Sequence, residues 1–183
     1  PMGQPIAIDV FFRALADVHK SKSIGIILTG GGSDGSVGLA RIKEQGGVTL
    51  AQQPDDAQHD AMPRNAIATG MVDIILPVAQ MPARLKDICE NMARIHMPAP
   101  VGDPLDPDSP EHAHEESPAE RTALRDILTL LRTRTGHDFR HYKKATVLRR
   151  IERRMQVTGV PDMQSYAAML HQTAEDTPKL LGD

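Results

Sequence analysis

The stretch IGIILTGGGSDGSVG, residues 24–38, decides the fold class of the first half of the chain. It opens with a continuous, largely β-branched apolar run over residues 24–29, which is typical of a strand buried on both faces. The glycines that follow predict a tight turn, and a helix is predicted from about residue 35 to the glycine pair at 46–47. Strand, Gly-rich turn and helix in this order are the repeating unit of a parallel α/β sheet.

The same alternation continues on both sides of this stretch. Strands are predicted at residues 48–52 and 72–76, with a short helix between them that starts near Pro63 and stops at Gly70. We also predict a helix over residues 9–19 and a later one with a single apolar face, formed by Met81, Leu85, Ile88, Met92 and Ile95. The prediction is therefore an α/β fold with a doubly wound parallel sheet and right-handed crossovers.

The composition changes sharply near residue 97. Residues 97–118 read MPAPVGDPLDPDSPEHAHEESP, a segment rich in Pro, Asp and Glu that cannot bury enough apolar surface to fold alone. We therefore predict a solvated linker between a first domain, residues 1–96, and a second domain, residues 119–183.

The second domain is predicted to be small and entirely helical. The sequence SPAE at residues 117–120 predicts a capping box with Pro at the first helical position, and Gly136 predicts the end of that helix. Two more helices are predicted, one over residues 145–157 that stops at Gly159 and one that starts near Asp162.

The composition of the whole chain excludes several classes of protein. A net charge of −3 over 183 residues gives no general affinity for polyanions, and the lone Cys89 excludes an internal disulfide and fits a reducing compartment. No apolar stretch approaches the ~20 residues of a membrane span, and the first residues lack the pattern of a signal peptide. We expect a cytoplasmic protein with no direct membrane insertion and no nucleic-acid partner.

The Gly-rich turn fits two known motifs. Gly30, Gly32 and Gly35 satisfy the G-x-G-x-x-G pattern of dinucleotide-binding turns, but the second strand ends in Gln rather than in the acid that binds the ribose. Residues 31–35 also satisfy G-x-S-x-G, which would make Ser33 a nucleophile, with His59 or His96 as the base. Neither histidine has a local context that fixes it in this role.

A third interpretation makes Asp34 the important group. It follows the carboxyl end of a buried strand, where α/β enzymes place their chemistry, and a carboxylate there can orient a catalytic imidazole. The structural alternative is a cap for the helix that follows, with Ser33 or Asp34 accepting a backbone N–H. Spacing alone favours the cap, and the two roles are compatible.

The stretch from Pro5 to about Ile95 resembles the C-terminal part of the catalytic domain of the chemotaxis protein-glutamate methylesterases (the CheB family). Three blocks carry the resemblance: IDVFFRALA at 8–16, GIILTGGGSDGSVGL at 25–39, and LAQQPDDAQHDAMPRNAIATGMVDIILP at 50–77. The resemblance implies that Asp34 is the acid of a Ser-His-Asp triad. It also implies hydrolysis of glutamyl methyl esters on chemoreceptors, and deamidation of receptor glutamines.

Two departures from that family bear on function. Gly31 stands where relatives usually carry Met, beside the catalytic centre. The family's nucleophilic Ser and its His precede the region covered by this resemblance, so we expect one member of the triad here and no esterase activity from the segment alone. The chain opens on Pro1 and stops at Asp183, and we expect both ends to be cut.

The segment from about Thr122 onward resembles the N-terminal helical domain of the chemotaxis receptor methyltransferases (the CheR family). The resemblance is carried by GHDF at 136–139, YK at 142–143, and TVLRRIERRM at 146–155. It implies that S-adenosylmethionine binds in a domain after residue 183 and that this segment holds no cofactor. A methylesterase followed by a methyltransferase in one chain is a known arrangement in this family.

The segment 140–154 is strongly basic, with seven Lys or Arg and one acid. A solvated face is the default interpretation, and nucleic acid is a functional rival, but aromatic residues for base stacking are sparse. The resemblance favours an acidic chemoreceptor helix as partner, with Arg150, Arg153 and Arg154 as the binding residues. We expect these three side chains to flank the buried stripe of their helix and reach solvent.

The sequence thus predicts part of a bifunctional enzyme of chemotaxis adaptation, with chemoreceptor helices as partners. Two alternatives remain. One is a non-catalytic interaction or regulatory module that kept the folds, and the other is a hydrolase that uses Ser33.

Overall fold

The computed structural model describes residues 6–95, 97, 117–136, 143–173 and 176–182. Within it the chain forms two compact units, Pro1–Glu90 and Asn91–Asp183, which are described separately below. The predicted linker, residues 97–118, lies outside the described residues except at its two ends, and so does the stretch 137–142.

Unit 1 alternates strands and helices, as the sequence predicts. Its strands are β1 (Ile24–Ile27), β2 (Val48–Gln52) and β3 (Ile74–Leu76). The helices that accompany them are α1 (Ala7–His19), α2 (Ser36–Glu44) and α3 (Ala61–Ala68), and α4 (Met81–Arg94) begins in unit 1 and ends four residues into unit 2.

The three strands form one parallel sheet in the order β1-β2-β3. Ile24 of β1 lies opposite Val48 of β2, and Leu50 of β2 lies opposite Ile74 of β3. Every residue of the central strand β2 is buried, as expected for a strand covered on both faces. The predicted parallel α/β fold is confirmed, although β1 and β3 are each shorter than predicted.

Helices α1 and α2 pack together on this sheet. The core they share joins Phe12 and Ala16 of α1, Leu39 and Ile42 of α2, and Ile27 and Ala66. A Cβ added to Gly38 of α2 would lie 2.6 Å from Cβ of Phe12, so only glycine allows the two helices to approach this closely. The beginnings of α1 and α2 therefore lie side by side.

Unit 2, in its described part, consists of helices after residue 117. They are α5 (Pro118–Thr135), α6 (Lys144–Thr158), α7 (Met163–Gln172) and α8 (Asp176–Gly182). Their buried core includes Ile127, Leu131, Leu148, Ile151, Met155, Tyr166 and Leu170. The predicted all-α region is confirmed, with α8 as an additional helix that the sequence analysis did not predict.

The ends of these helices follow the predicted local signals. Ser117 Oγ accepts a hydrogen bond from the Glu120 N–H at 3.2 Å, and the Ser117 N–H donates to Glu120 Oε2 at 2.8 Å, which completes the capping box. Gly136 and Gly159 end α5 and α6 with φ values of 73° and 78°. Among the described helices, none combines the length and apolar character required to cross a bilayer.

Candidate functional site

The Gly-rich turn leaves β1 at the carboxyl end of the sheet and is tied to the segment that precedes α3. The Gly30 N–H donates to the His59 carbonyl at 2.9 Å, and the Gly30 carbonyl accepts from the Met62 N–H at 3.0 Å. A Cβ on Gly30 would overlap the Met62 sulfur, so a larger residue here would have to displace the Met62 side chain. These contacts hold the first part of the turn in place.

A buried glutamine fixes the start of the same turn. Gln52 Oε1 accepts from the Thr29 N–H at 2.8 Å, and Gln52 Nε2 donates to Asp56 Oδ2 at 2.9 Å. The Val78 N–H and the Gln52 amide, both donating to this carboxylate, lower the pKa of Asp56. Gln52 ends β2, where a dinucleotide-binding fold would carry its ribose-binding acid. The side chain of Gln52 is instead hydrogen-bonded to the Gly-rich turn and to Asp56.

An exposed asparagine supports the far side of the turn. Asn65 Nδ2 donates to the Gly32 carbonyl at 2.8 Å. Neither Gln52 nor Asn65 was predicted from the sequence to be a residue of this site. The available signal was their position in the long block at 50–77 that carries the methylesterase resemblance.

The Asp34 carboxylate lies against the first turn of α1. Its Oδ1 accepts from the Asp9 N–H at 3.0 Å, and its Oδ2 accepts from the Ile8 N–H at 3.1 Å. N–H groups in the first turn of a helix have no partner within that helix, and they carry the positive end of the helix dipole. The half-buried Asp34 side chain is therefore held at both oxygens by the start of another helix.

This geometry corrects the predicted cap. The residue that begins α2 is Gly35, with a φ of 91° and no side-chain hydrogen bond at the cap. Asp34 precedes α2 but caps α1, which starts 27 residues earlier in the chain. The prediction that Ser33 or Asp34 caps its own helix is therefore wrong.

Asp9 forms a reciprocal hydrogen bond from α1 to α2. Its Oδ1 accepts from the Gly38 N–H, the third residue of α2, at 2.6 Å. The first turn of α1 thus binds the carboxylate of Asp34 from the turn before α2, and the first turn of α2 binds the carboxylate of Asp9 from α1. This arrangement fixes the position of Asp34 relative to both helices.

The Asp34 carboxylate keeps room for a further donor. A carboxylate offers about four lone-pair sites, and the two backbone bonds occupy two of them. In the described part of the chain, no histidine side chain is bonded to Asp34, and His96 lies outside that part. The arrangement can accept an imidazole N–H, but the described residues do not supply the imidazole.

Ser33 occupies the exposed part of the strand-to-helix turn, as a nucleophile elbow would require. Its carbonyl accepts from the Ser36 N–H at 3.2 Å. His59 holds Thr29 through its backbone, and within the described residues no imidazole is bonded to the Ser33 hydroxyl.

The predicted basic face of α6 is only partly present. Arg153 and Arg154 are buried, with 1% and 5% of their surface exposed, so the expectation that they reach solvent is wrong. Arg150 is half-buried and Arg149 is exposed.

The burial of Arg154 has a clear physical cause. Its guanidinium forms an ion pair with Asp176 at the start of α8, and the Tyr166 hydroxyl donates to the same carboxylate at 2.7 Å. Burial, followed by the negative charge of Asp176, raises the pKa of Tyr166 well above its usual range. Because α8 packs on α6, a position that flanks the apolar stripe is enclosed rather than exposed.

Comparisons with known proteins find one family match within each unit. Residues 2–85 match the family model of CheB methylesterase, and residues 122–181 match that of the all-alpha domain of CheR methyltransferase.

Several known proteins are similar to part or most of this chain. A protein-glutamate methylesterase/protein-glutamine glutaminase of Burkholderia thailandensis is 43% identical over 81 residues, 44% of this chain and 23% of that protein. A 104.1 kDa protein of Rhodobacter capsulatus, of uncharacterized function, is 35% identical over 172 residues, 90% of this chain and 18% of that protein. The crystal structure of the Thermotoga maritima CheB methylesterase catalytic domain is 35% identical, with a TM-score of 0.41, over 42% of this chain and 41% of that one.

The chain thus spans between about a fifth and two fifths of the lengths of the relatives that it matches. In the Rhodobacter protein a single alignment runs through both units in the same order. The chain therefore contains a segment, residues 2–85, that matches the CheB methylesterase family, followed by a segment, residues 122–181, that matches the all-alpha domain of the CheR methyltransferase family.

Proposed function

We propose that unit 1 supplies the acid of a Ser-His-Asp triad that hydrolyses glutamyl methyl esters on chemoreceptors. The Ser and the His would come from a part of the parent protein that precedes residue 1. Asp34 would accept the N–H of that histidine, fix its tautomer and stabilise the imidazolium that forms when the serine is deprotonated. The carboxylate itself would not take the proton.

The orientation of Asp34 is the observation that carries this proposal. Two amide N–H groups at 3.0 and 3.1 Å hold the carboxylate at the carboxyl end of a parallel sheet, where α/β enzymes place their chemistry. A triad acid must be held in one orientation, and the two helix N-terminal amides bind this carboxylate at both of its oxygens. The glutaminase activity named for the Burkholderia relative is a second reaction that the same site would support, because an amide and an ester pass through similar tetrahedral intermediates.

Unit 2 is proposed to recognise the receptor before methylation by a methyltransferase domain. The exposed Arg149 and the half-buried Arg150 lie on the N-terminal part of α6, where they would contact an acidic cytoplasmic helix of a chemoreceptor. Arg153 and Arg154 are excluded from that contact by their burial.

The methyl donor is assigned to a different domain. The described residues of unit 2 after 117 form helices without strands, so they offer no strand-to-helix turn for a nucleoside cofactor. S-adenosylmethionine would supply the methyl group in a domain after residue 183. A cytoplasmic location follows from this proposal, because the receptor helices that carry the glutamates are cytoplasmic.

The rival function is a non-catalytic module in which Asp34 is only a cap. The use of both carboxylate oxygens in capping favours this alternative. Asp34→Asn in the full-length protein separates the two, because the amide keeps one acceptor and a similar shape but cannot stabilise an imidazolium.

The experiment measures ester hydrolysis on a methylated receptor together with thermal unfolding. We expect turnover to fall by about 10⁴-fold, as for other triad Asp→Asn changes, while the protein stays folded at the assay temperature. Asp162→Asn is the matched control, since Asp162 caps α7 with the same chemistry in unit 2. An Asp34→Asn enzyme with near wild-type turnover and reduced stability would show that Asp34 is only a cap.

A further inference from the structure

Asp9 forms two hydrogen bonds at this site, one with the Asp34 carboxylate and one with the backbone of α2. Its backbone N–H donates to Asp34 Oδ1 at 3.0 Å, and its side-chain Oδ1 accepts from the Gly38 N–H at 2.6 Å. One residue therefore binds the Asp34 carboxylate and also fixes α1 against α2.

The hydrogen bond between Asp9 and Gly38 affects the hydrogen bond between Asp9 and Asp34. Asp34 is attached to α2 through Gly35, whereas its two hydrogen-bond donors belong to α1. The relative position of the two helix starts therefore sets the direction of the Asp34 carboxylate. At this end of the helix pair the only side-chain hydrogen bonds among the described residues are those made by Asp34 and Asp9.

The packing around Gly38 explains why the residue at position 9 accepts the hydrogen bond from its N–H. Gly38 has no side chain, and a Cβ there would lie 3.1 Å from Cα of Asp9, so the two backbones meet closely. A short acidic side chain on α1 then reaches the unpaired N–H in the first turn of α2, and such charge-assisted bonds are short and strong. An alanine at position 9 would leave that N–H without a partner.

We propose that Asp9 is a positioning residue for the esterase reaction, acting through Asp34. This inference rests on the proposed function, in which Asp34 orients the catalytic histidine. In this role Asp9 acts on the Asp34 carboxylate and not on the substrate. It holds the start of α1 where its amides direct the Asp34 carboxylate, and a displacement of about 1 Å in such a support can cost about a hundredfold in rate.

The test uses three variants of the full-length enzyme. Asp9→Ala removes the bond to Gly38, and Asp9→Asn keeps an oxygen acceptor of nearly the same shape. Asp17→Ala is the matched control, because it also removes a carboxylate that links α1 to α2, through Arg41 at 2.6 Å, but at the other end of the helix.

For Asp9→Ala we expect kcat to fall between about tenfold and a hundredfold with KM unchanged. Asp9→Asn should recover kcat to within about threefold of wild type, since the amide oxygen still accepts from Gly38. Asp17→Ala should lower the unfolding temperature without changing kcat. Equal effects of Asp9→Ala and Asp17→Ala on kcat would overturn the inference.

A double variant distinguishes this inference from the function on which it rests. If Asp9 acts through Asp34, Asp9→Ala should add no further loss to Asp34→Asn, because residues that act as a unit are not additive. A multiplied loss overturns the positioning role and leaves the triad proposal intact. Normal turnover of Asp34→Asn overturns both, whereas slow turnover of Asp34→Asn with normal turnover of Asp9→Ala overturns only the role of Asp9.

Discussion

Arg154 of α6 and Asp176 of α8 form a buried ion pair in unit 2, and the hydroxyl of Tyr166 donates to the same carboxylate. The guanidinium and the carboxylate are each about 7% exposed as side chains, so water screens their attraction very little. The pair ties α8 to α6 and α7. Because each group neutralises the other, both charges are retained in the interior of this helical unit.

The first prediction follows from this burial. Arg154→Ala should lower the free energy of unfolding of unit 2 by about 3–5 kcal/mol, because it leaves the buried Asp176 carboxylate without its counter-ion. Denaturant unfolding followed by far-UV circular dichroism measures this loss. Arg125→Ala, an exposed arginine of α5, is the matched control and should change stability by less than about 0.5 kcal/mol. Equal stability of the two variants would contradict the burial of Arg154.

The second prediction concerns alkaline pH. The pKa of Tyr166 is raised in the folded protein by burial and by the charge of Asp176, whereas a tyrosine in the unfolded chain ionises at about pH 10. The folded state therefore holds this proton more tightly than the unfolded state does. The stability that depends on the neutral phenol is complete below about pH 10 and is lost as pH rises toward the pKa of the folded state.

Absorbance at the phenolate band measures this directly. The chain has two tyrosines, so a Tyr142→Phe background leaves Tyr166 as the only phenol. Its ionisation should coincide with unfolding rather than precede it. In the same background, Tyr166→Phe should remove this contribution to the loss of stability above about pH 10. Ionisation of Tyr166 near pH 10 in a fully folded protein would show that the phenol is not enclosed.

These contacts show where sequence patterns carry information and where they do not. The capping box at Ser117 and the helix stops at Gly136 and Gly159 were correctly predicted because each is a local signal within four residues. The burial of Arg154 was not, because it depends on α8, a seven-residue helix whose start pairs with α6 from 22 residues away.

In the candidate site, too, some features could be predicted from the sequence and others could not. The position of Asp34 after a buried strand was readable from the apolar run at 24–29 and the glycines behind it. Its partners were not, because they are backbone N–H groups of Ile8 and Asp9, and backbone donors have no sequence signature. The only local indications were an acid in the first turn of one helix and Gly38 in the first turn of the other.

The third prediction compares three glycines of the turn. Gly31 has no unusual φ, and a Cβ there meets no atom within 4 Å, so Gly31→Met should change stability by less than about 0.5 kcal/mol. Gly32 has the same open surroundings but a φ of 82°, so Gly32→Ala should cost about 1–2 kcal/mol from backbone strain. Thermal unfolding of the chain measures both changes.

Gly35 completes this series. Its φ is 91°, and a Cβ there would lie 2.6 Å from Ile27 Cδ1 and 2.8 Å from Ile8 Cγ2. Gly35→Ala therefore combines strain with a clash beside the donors of Asp34, and it should be the most destabilising of the three. An unfolding temperature for Gly35→Ala at or above that of Gly32→Ala would contradict the close packing of α1 against the turn. The tolerance expected at Gly31 also means that a methionine would fit this position of the turn.

The fourth prediction concerns receptor recognition by unit 2. Arg149 is exposed and Arg150 is half-buried, whereas the other two arginines of α6 are buried, so the double variant Arg149→Ala/Arg150→Ala should weaken binding of an acidic receptor helix in the full-length protein. Contacts between exposed charges mainly change association and are screened by salt. We therefore expect a loss of about tenfold at low ionic strength and little loss at high ionic strength, measured by titration of a receptor fragment.

The buried arginines provide the contrast that makes this test specific. Arg153→Ala should reduce receptor binding only to the extent that it unfolds unit 2, so its effect should follow the loss of circular dichroism and should not depend on salt. The double variant Arg121→Ala/Arg125→Ala removes two exposed positive charges from α5 and controls for net charge. Unchanged affinity of the double variant at low salt would move receptor recognition away from α6. Tighter binding of nucleic acid than of the receptor fragment by the wild-type protein would give the basic segment a different partner altogether.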